Sequence, residues 1–362
     1  MKTIYQLVLQ VSAVLILAGC AEQKSETTPG DQAATESTEV LALAERAGAP
    51  LFDGMGDYEM PITTEAQDAQ RYFNQGMVLA FAFNHAESIR SFRAAQTLDP
   101  TCAMCFWGEA LATGPNINVT SKGKVIMSAG EREAAFAALQ KALALKDNAT
   151  VREQAYIEAL ATRYNGDAET DREPLDRAWA EAMGSVVKQY PEDMTAASIY
   201  AESLMNTMPW NYWSDDGIAK PETSAVIESL DRVLQAEPDH PLALHLYIHA
   251  LEASNDPSRA ETAADRLANL VPGAGHLVHM PSHIYYRIGR YNDAAVANQR
   301  AADVDEAYIA ACNAQGFYPA LYYPHNIHFL WSAATMQGQS ALSIESARRV
   351  VANVRVEQVQ AF

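Results

Sequence analysis

Residues 241–306 read PLALHLYIHALEASNDPSRAETAADRLANLVPGAGHLVHMPSHIYYRIGRYNDAAVANQRAADVDE, and this stretch decides the fold. Leu244, Tyr247, Ile248 and Leu251 fall at the spacing that gathers apolar side chains on one face of a helix. Ala260, Ala264 and Leu267 repeat that spacing in a second helix, which Pro272 closes. The pattern restarts at Gly275, with Gly289, Tyr291, Ala294 and Ala301 in the matching places. After an insertion it restarts again at Pro324, with Gly338 in register. A helical pair recurring at this interval cannot bury its apolar face alone, so successive pairs must stack.

Helix–turn–helix units with a period of about 34 residues resemble tetratricopeptide repeats. The resemblance implies an all-α, TPR-type solenoid, and working outward from 241–306 gives about seven repeats with loop insertions between residues 69 and 362. The first starts at Ala69, with Phe73, Gly76 and Leu79 in one helix and Ile89, Phe92 and Ala95 in the next. The second opens at Cys102 and is split by an insertion over residues 114–128. Helices are expected at Val151–Tyr164, Leu175–Gln189, from Met194, and at Ala225–Ala236, with an aromatic insertion at Met208–Gly217 and another at Ala310–Tyr323. Val350–Phe362 reads as a terminal cap. The pair His279-Met-Pro-Ser-His283 and Pro324-His-Asn-Ile-His328 also resembles periplasmic bacterial repeat lipoproteins with histidine-rich repeats, a likeness that implies no activity.

Lys2, the apolar run Leu7–Leu17 and Leu17-Ala18-Gly19-Cys20 resemble a bacterial lipobox. This implies a signal peptide over 1–19 and acylation of Cys20, with Ala21 favouring the outer membrane and the periplasmic side. Residues 20–38, rich in Ser, Thr, Glu, Gln and Ala, read as a flexible tether, and 39–68 as a lead-in with a short helix at Val40–Ala47. Acyl chains hold a soluble domain to a membrane without a spanning helix. The formal net charge of −19 repels phosphate backbones and excludes nucleic acid as a partner, while cations and basic peptides are favoured.

Seven of the nine histidines lie in 241–335: His245, His249, His276, His279, His283, His325 and His328. Their three- and four-residue spacings put neighbours on one helix face. In the register of the resemblance they occupy the second, fifth or ninth place of first helices, which line the hollow side. Neutral imidazole is a ligand for zinc, copper and iron, so the wall reads as a transition-metal site. His249 and His283 would be central, with His279 or His328 as third ligand and Glu202 as a carboxylate. The same imidazoles also suit a groove that holds a peptide. Pro281 must kink its helix or start it near Met280, which weakens the register for His276 and His279. His85 falls between two helices and reads as a surface or capping residue.

Cys102 and Cys105 are candidates for a local disulfide in an oxidising compartment, with a reduced or metal-binding pair as the alternative, and Cys312 reads as a buried free thiol or else a thiolate ligand at the rim. Trp210 and Trp213 in one insertion, with Tyr286 and Arg287 beside the hollow face, are candidate groove or lid residues. No phosphate loop, GxSxG elbow or HExxH is present. Two uses fit the pattern. One is a periplasmic binding protein, tethered to the outer membrane, whose concave face takes a protein or peptide partner and a transition metal. The alternative is a metal-dependent enzyme with a histidine-ligated centre inside the superhelix.

Overall fold

The computed structural model describes residues 40–119, 127–314 and 316–354. The signal segment, Cys20, the tether and residues 355–362 of the terminal cap lie outside the described residues. Every regular element described is helical, and the one β-like contact is an isolated bridge between Trp213 and Ala219. A first helical stretch, α1, covers residues 40–47. It is followed by α2 (Gln67–Phe81), α3 (His85–Leu98), α4 (Ala103–Thr113), α5 (Ala129–Ala144), α6 (Val151–Ala161), α7 (Arg172–Gln189), α8 (Met194–Thr207) and α9 (Pro221–Ala236). Then come α10 (Pro241–Glu252), α11 (Glu261–Leu267), α12 (Gly275–His279), α13 (Pro281–Arg287), α14 (Tyr291–Cys312), α15 (Tyr323–Met336) and α16 (Ser340–Asn353).

From α2 onward the helices pack as consecutive antiparallel pairs, with α12 and α13 together serving as one member. Local chemistry starts them. Ser128 with Glu131 and Thr150 with Glu153 form capping boxes on α5 and α6. Pro221 and Pro241 occupy first turns, where a missing N–H costs nothing. Asn313 ends α14 in the left-handed conformation that asparagine tolerates. Glycine permits the tightest approach: Phe92 on α3 sits between Gly76 and Gly108, and a Cβ on Gly108 would lie 2.3 Å from its ring. Cys102 and Cys105 are joined by a disulfide at the start of α4.

The pairs do not run on as an open row. The end of α2 reaches α10, where the Phe81 carbonyl accepts a hydrogen bond from His245 Nδ1 at 2.6 Å. Tyr308 on α14 donates to Glu87 on α3 at 3.1 Å, and Asn118 donates to Tyr322 at 2.9 Å. The first two pairs therefore meet the fifth, sixth and seventh.

Residues 49–63, which precede α2 in the chain, run alongside it as an irregular strap. Tyr72 donates to the Ala49 carbonyl, and Gln75 and Gln70 take up the backbone N–H groups of Phe52 and Ile62. The other side of the strap crosses the starts of later inner helices. Thr63 donates twice to Glu153 of α6, Tyr58 bonds Thr195 of α8 at 2.8 Å, and Gly273 N–H donates to Gly54 O just before α12.

Candidate metal centre

Inside this closure α10, α12, α13 and α15 bring six imidazoles together. His245 and His249 stand one turn apart on α10, His276 and His279 on α12, His283 on α13 and His325 on α15. The Pro281 break does not scatter them. Met280 keeps helical dihedrals between the two segments, and His283 N–H bonds the Met280 carbonyl, so α12 and α13 form one kinked helix with all three histidines on its inner side. His245, His249 and His276 offer nitrogen atoms within 4.8 Å of one another, and so do His279, His283 and His325. His249, Glu252 and His283 form a third such set. These buried clusters could hold a metal ion.

Hydrogen bonds fix how the rings are protonated. Glu252 accepts from His249 Nδ1 at 2.7 Å and from His283 Nδ1 at 2.6 Å, one imidazole on each carboxylate oxygen. Burial would raise this carboxyl, but the His283 and His249 imidazoles hold it well below the usual carboxylate range, so it is an acceptor only. His279 Nδ1 lies 2.5 Å from Asn298 Oδ1. The Asn298 amide cannot be turned round, because its nitrogen donates to the Ala294 carbonyl at 2.7 Å. With Phe81 O accepting from His245, four imidazoles carry their proton on Nδ1 and present a bare Nε2. Burial and neighbouring imidazoles push His245, His276 and His279 well below their usual range, burial lowers His249, and burial pushes His325 down to about 3. These rings stay neutral, the form a metal needs.

Several of these nitrogens meet no hydrogen-bond partner among the described residues. His245 Nε2, His249 Nε2 and both nitrogens of His276 are buried without a hydrogen bond. His279 Nε2 and His283 Nε2 lie 2.9 Å apart, and with each ring neutral and its one proton on Nδ1 they face each other with lone pairs. Two lone pairs at that distance repel, and buried unpaired acceptors cost about 1–3 kcal/mol each. A cation between them removes both costs. An imidazole anchored at Nδ1 by a carboxylate, amide or carbonyl is the usual outer shell of a metal-bound histidine.

Aromatic rings close the walls. Phe83 lies 4.6 Å from His245 and 5.5 Å from His276. Phe329 lies 4.5 Å from His283, and Tyr322 lies 4.7 Å from His276. The edge of Trp210 meets His249 at 5.0 Å while half of its surface stays exposed, so it stands at the outer mouth. Phe83 and Trp210 both hold left-handed backbone, φ 56° and 59°. For bulky residues that conformation is strained, and such strain gathers at functional sites. A π-helical turn at Tyr318–Tyr322 leads into α15 and the centre, another irregularity common at such places.

No protein-family model matches the chain. No curated protein sequence matches it either.

Several expected residues stand apart from the histidine sets. His328 is exposed, with its ring against Trp331, because three residues along a helix is a rotation about 60° short of a full turn. Glu202 is in none of the three sets, and Glu252 at the end of α10 provides the carboxylate instead. Arg287 is engaged by the Glu252 and Ser254 carbonyls and holds the end of α10, so its fork is not open to an anion. Tyr286 packs on Tyr291, and Trp213 donates to the Ala250 carbonyl as a structural anchor. His85 is no surface cap: its two nitrogens are bonded to Ala112 O and Asn116, and burial pushes it down to about 4. Cys312 is half-buried near Glu87, and burial raises its thiol.

Glu202 keeps a distinct chemistry. Burial pushes its carboxyl up to about 7, and Arg163 offsets only part of that. A carboxyl raised from 4.5 favours the folded state fully at low pH and loses that contribution as pH climbs through 4.5 towards 7. Glu202→Gln, neutral at every pH, should therefore gain on the wild type by about 1–2 kcal/mol between mildly acid and mildly alkaline buffer. Urea midpoints at both ends test this, and an unchanged gap would refute the burial account.

Proposed function

We propose that this chain is a tetratricopeptide-type periplasmic lipoprotein, held to the outer membrane through Cys20, whose closed helical array binds transition-metal ions on buried histidines. The observation that carries the reading is the set of imidazoles with Nδ1 protons committed and bare Nε2 atoms turned towards one another. Zinc, copper and iron all accept such donors. We place the ion ahead of a peptide or protein partner because residues 49–63 already lie across the starts of α6 and α8 and against the turn before α12.

One observation favours a catalytic use. Tyr212, in the aromatic insertion, is raised chiefly by burial, with the Glu252 and Glu202 carboxylates adding to it, and burial raises the Glu202 carboxyl too. A carboxyl pushed up to about 7 is suited to taking a proton from water activated at a metal.

Protein purified without an affinity tag, stripped of metal and reloaded with each of the three metals in turn, should retain at least one ion per chain through desalting. Elemental analysis reads this directly. A chain that retains none after loading with any of the three overturns the reading.

A further inference from the structure

The six imidazoles are too many for one ion. A metal–imidazole bond is about 2.0–2.1 Å, so all donors to one centre must crowd within about twice that length. His245, His249 and His276 meet this condition among themselves, and so do His279, His283 and His325, but the sets of close donor atoms nowhere mix imidazoles of both triads except through Glu252. The triads are nevertheless adjacent, with His276 and His279 ring centres 5.6 Å apart and His249 and His283 5.4 Å apart.

We propose that the centre is a pair of copper sites, one on His245, His249 and His276 and the other on His279, His283 and His325, tied together by Glu252. The inference rests on the metal-binding reading above and deepens it. Glu252 spends both oxygens on Nδ1 protons, one from each triad, so it orients a ligand of each ion and binds neither directly. Each ion then has only neutral nitrogen donors.

Charge selects among metals. Glu252 is the only carboxylate in the three sets, and the walls are aromatic. Two divalent ions would place four positive charges beside one negative charge among largely buried rings, and burying uncompensated charge is costly. Two Cu(I) ions place two. Copper is the metal among imidazole-binding ions with a stable monovalent state, and it also heads the divalent affinity order.

The test is an anaerobic titration of the full mature chain with Cu(I) against a chromophoric chelator, with Zn(II) titrated in parallel. Two Cu(I) equivalents should bind tightly to the wild type, and His245→Ala and His279→Ala should each keep one. Circular dichroism confirms that the variants are folded, and the wild-type stoichiometry decides the matter if they are not. One equivalent at saturation overturns the pair and leaves the metal reading standing, whereas none with either metal overturns both. Loss of both ions from either folded variant overturns the division into triads. Two zinc ions held more tightly than copper overturn the choice of metal.

Discussion

Replacing Asp176 with alanine is expected to lower the unfolding free energy by about 3–5 kcal/mol, enough to unfold much of the population near physiological temperature. Asp176 on α7 is buried between two buried guanidiniums, with Arg172 at 3.0 Å and Arg163 at 3.5 Å. Both arginines have further duties. Arg163 donates to the Pro115 carbonyl and lies over Trp179, and Arg172 donates to the Arg163 carbonyl and lies over Tyr164. Without the carboxylate two cations face each other away from water. Asp176→Asn keeps the shape and removes the charge, so it should recover only a minor part. Guanidinium denaturation of both variants measures the loss. A cost under about 1 kcal/mol for the alanine variant would mean that water reaches these arginines after all.

Glu252→Ala should weaken metal binding about 10–100-fold, measured by chelator competition. The variant leaves every nitrogen donor in place. It removes the acceptor for the Nδ1 protons of His249 and His283, so both rings become free to turn and to change tautomer. Glu252→Gln should fall nearly as far, because an amide accepts with one end and donates with the other, and one of the two imidazoles loses its correct tautomer. Affinity unchanged in both variants would show that the carboxylate does not orient these ligands.

The histidine wall was legible because it depends only on helical periodicity and a regular interval between hairpins. Both survive the Pro281 kink, which bends the helix and leaves its inner side intact. Glu252 was legible in principle: it follows His249 by three residues on the same helix, the spacing that brings side chains together. Its second partner, His283, comes from the neighbouring hairpin, and no single-helix pattern reports that. Phe83, Asn298 and the Phe81 carbonyl were hidden for a stronger reason. Phe83 and Phe81 reach the centre because the array curves far enough for its first hairpin to meet its fifth and sixth, and curvature accumulates from small rotations that residue types do not spell out. Glu202 shows the converse error. It holds the right place in its hairpin, but the carboxylate that lies among the histidines is the one on α10.

The bond from His245 to the Phe81 carbonyl spans 164 residues of chain. In a string of hairpins that touch only their neighbours, stability accumulates unit by unit and an end can fray without disturbing the middle. Here an end is also a wall of the interior, so losing it opens a chamber. During synthesis the first hairpin emerges long before the segment it must cover, and the imidazoles gain their full enclosure only when both termini of the array have been made and joined. An ion taken up there would act as a late clasp, favouring the completed molecule over every shorter one.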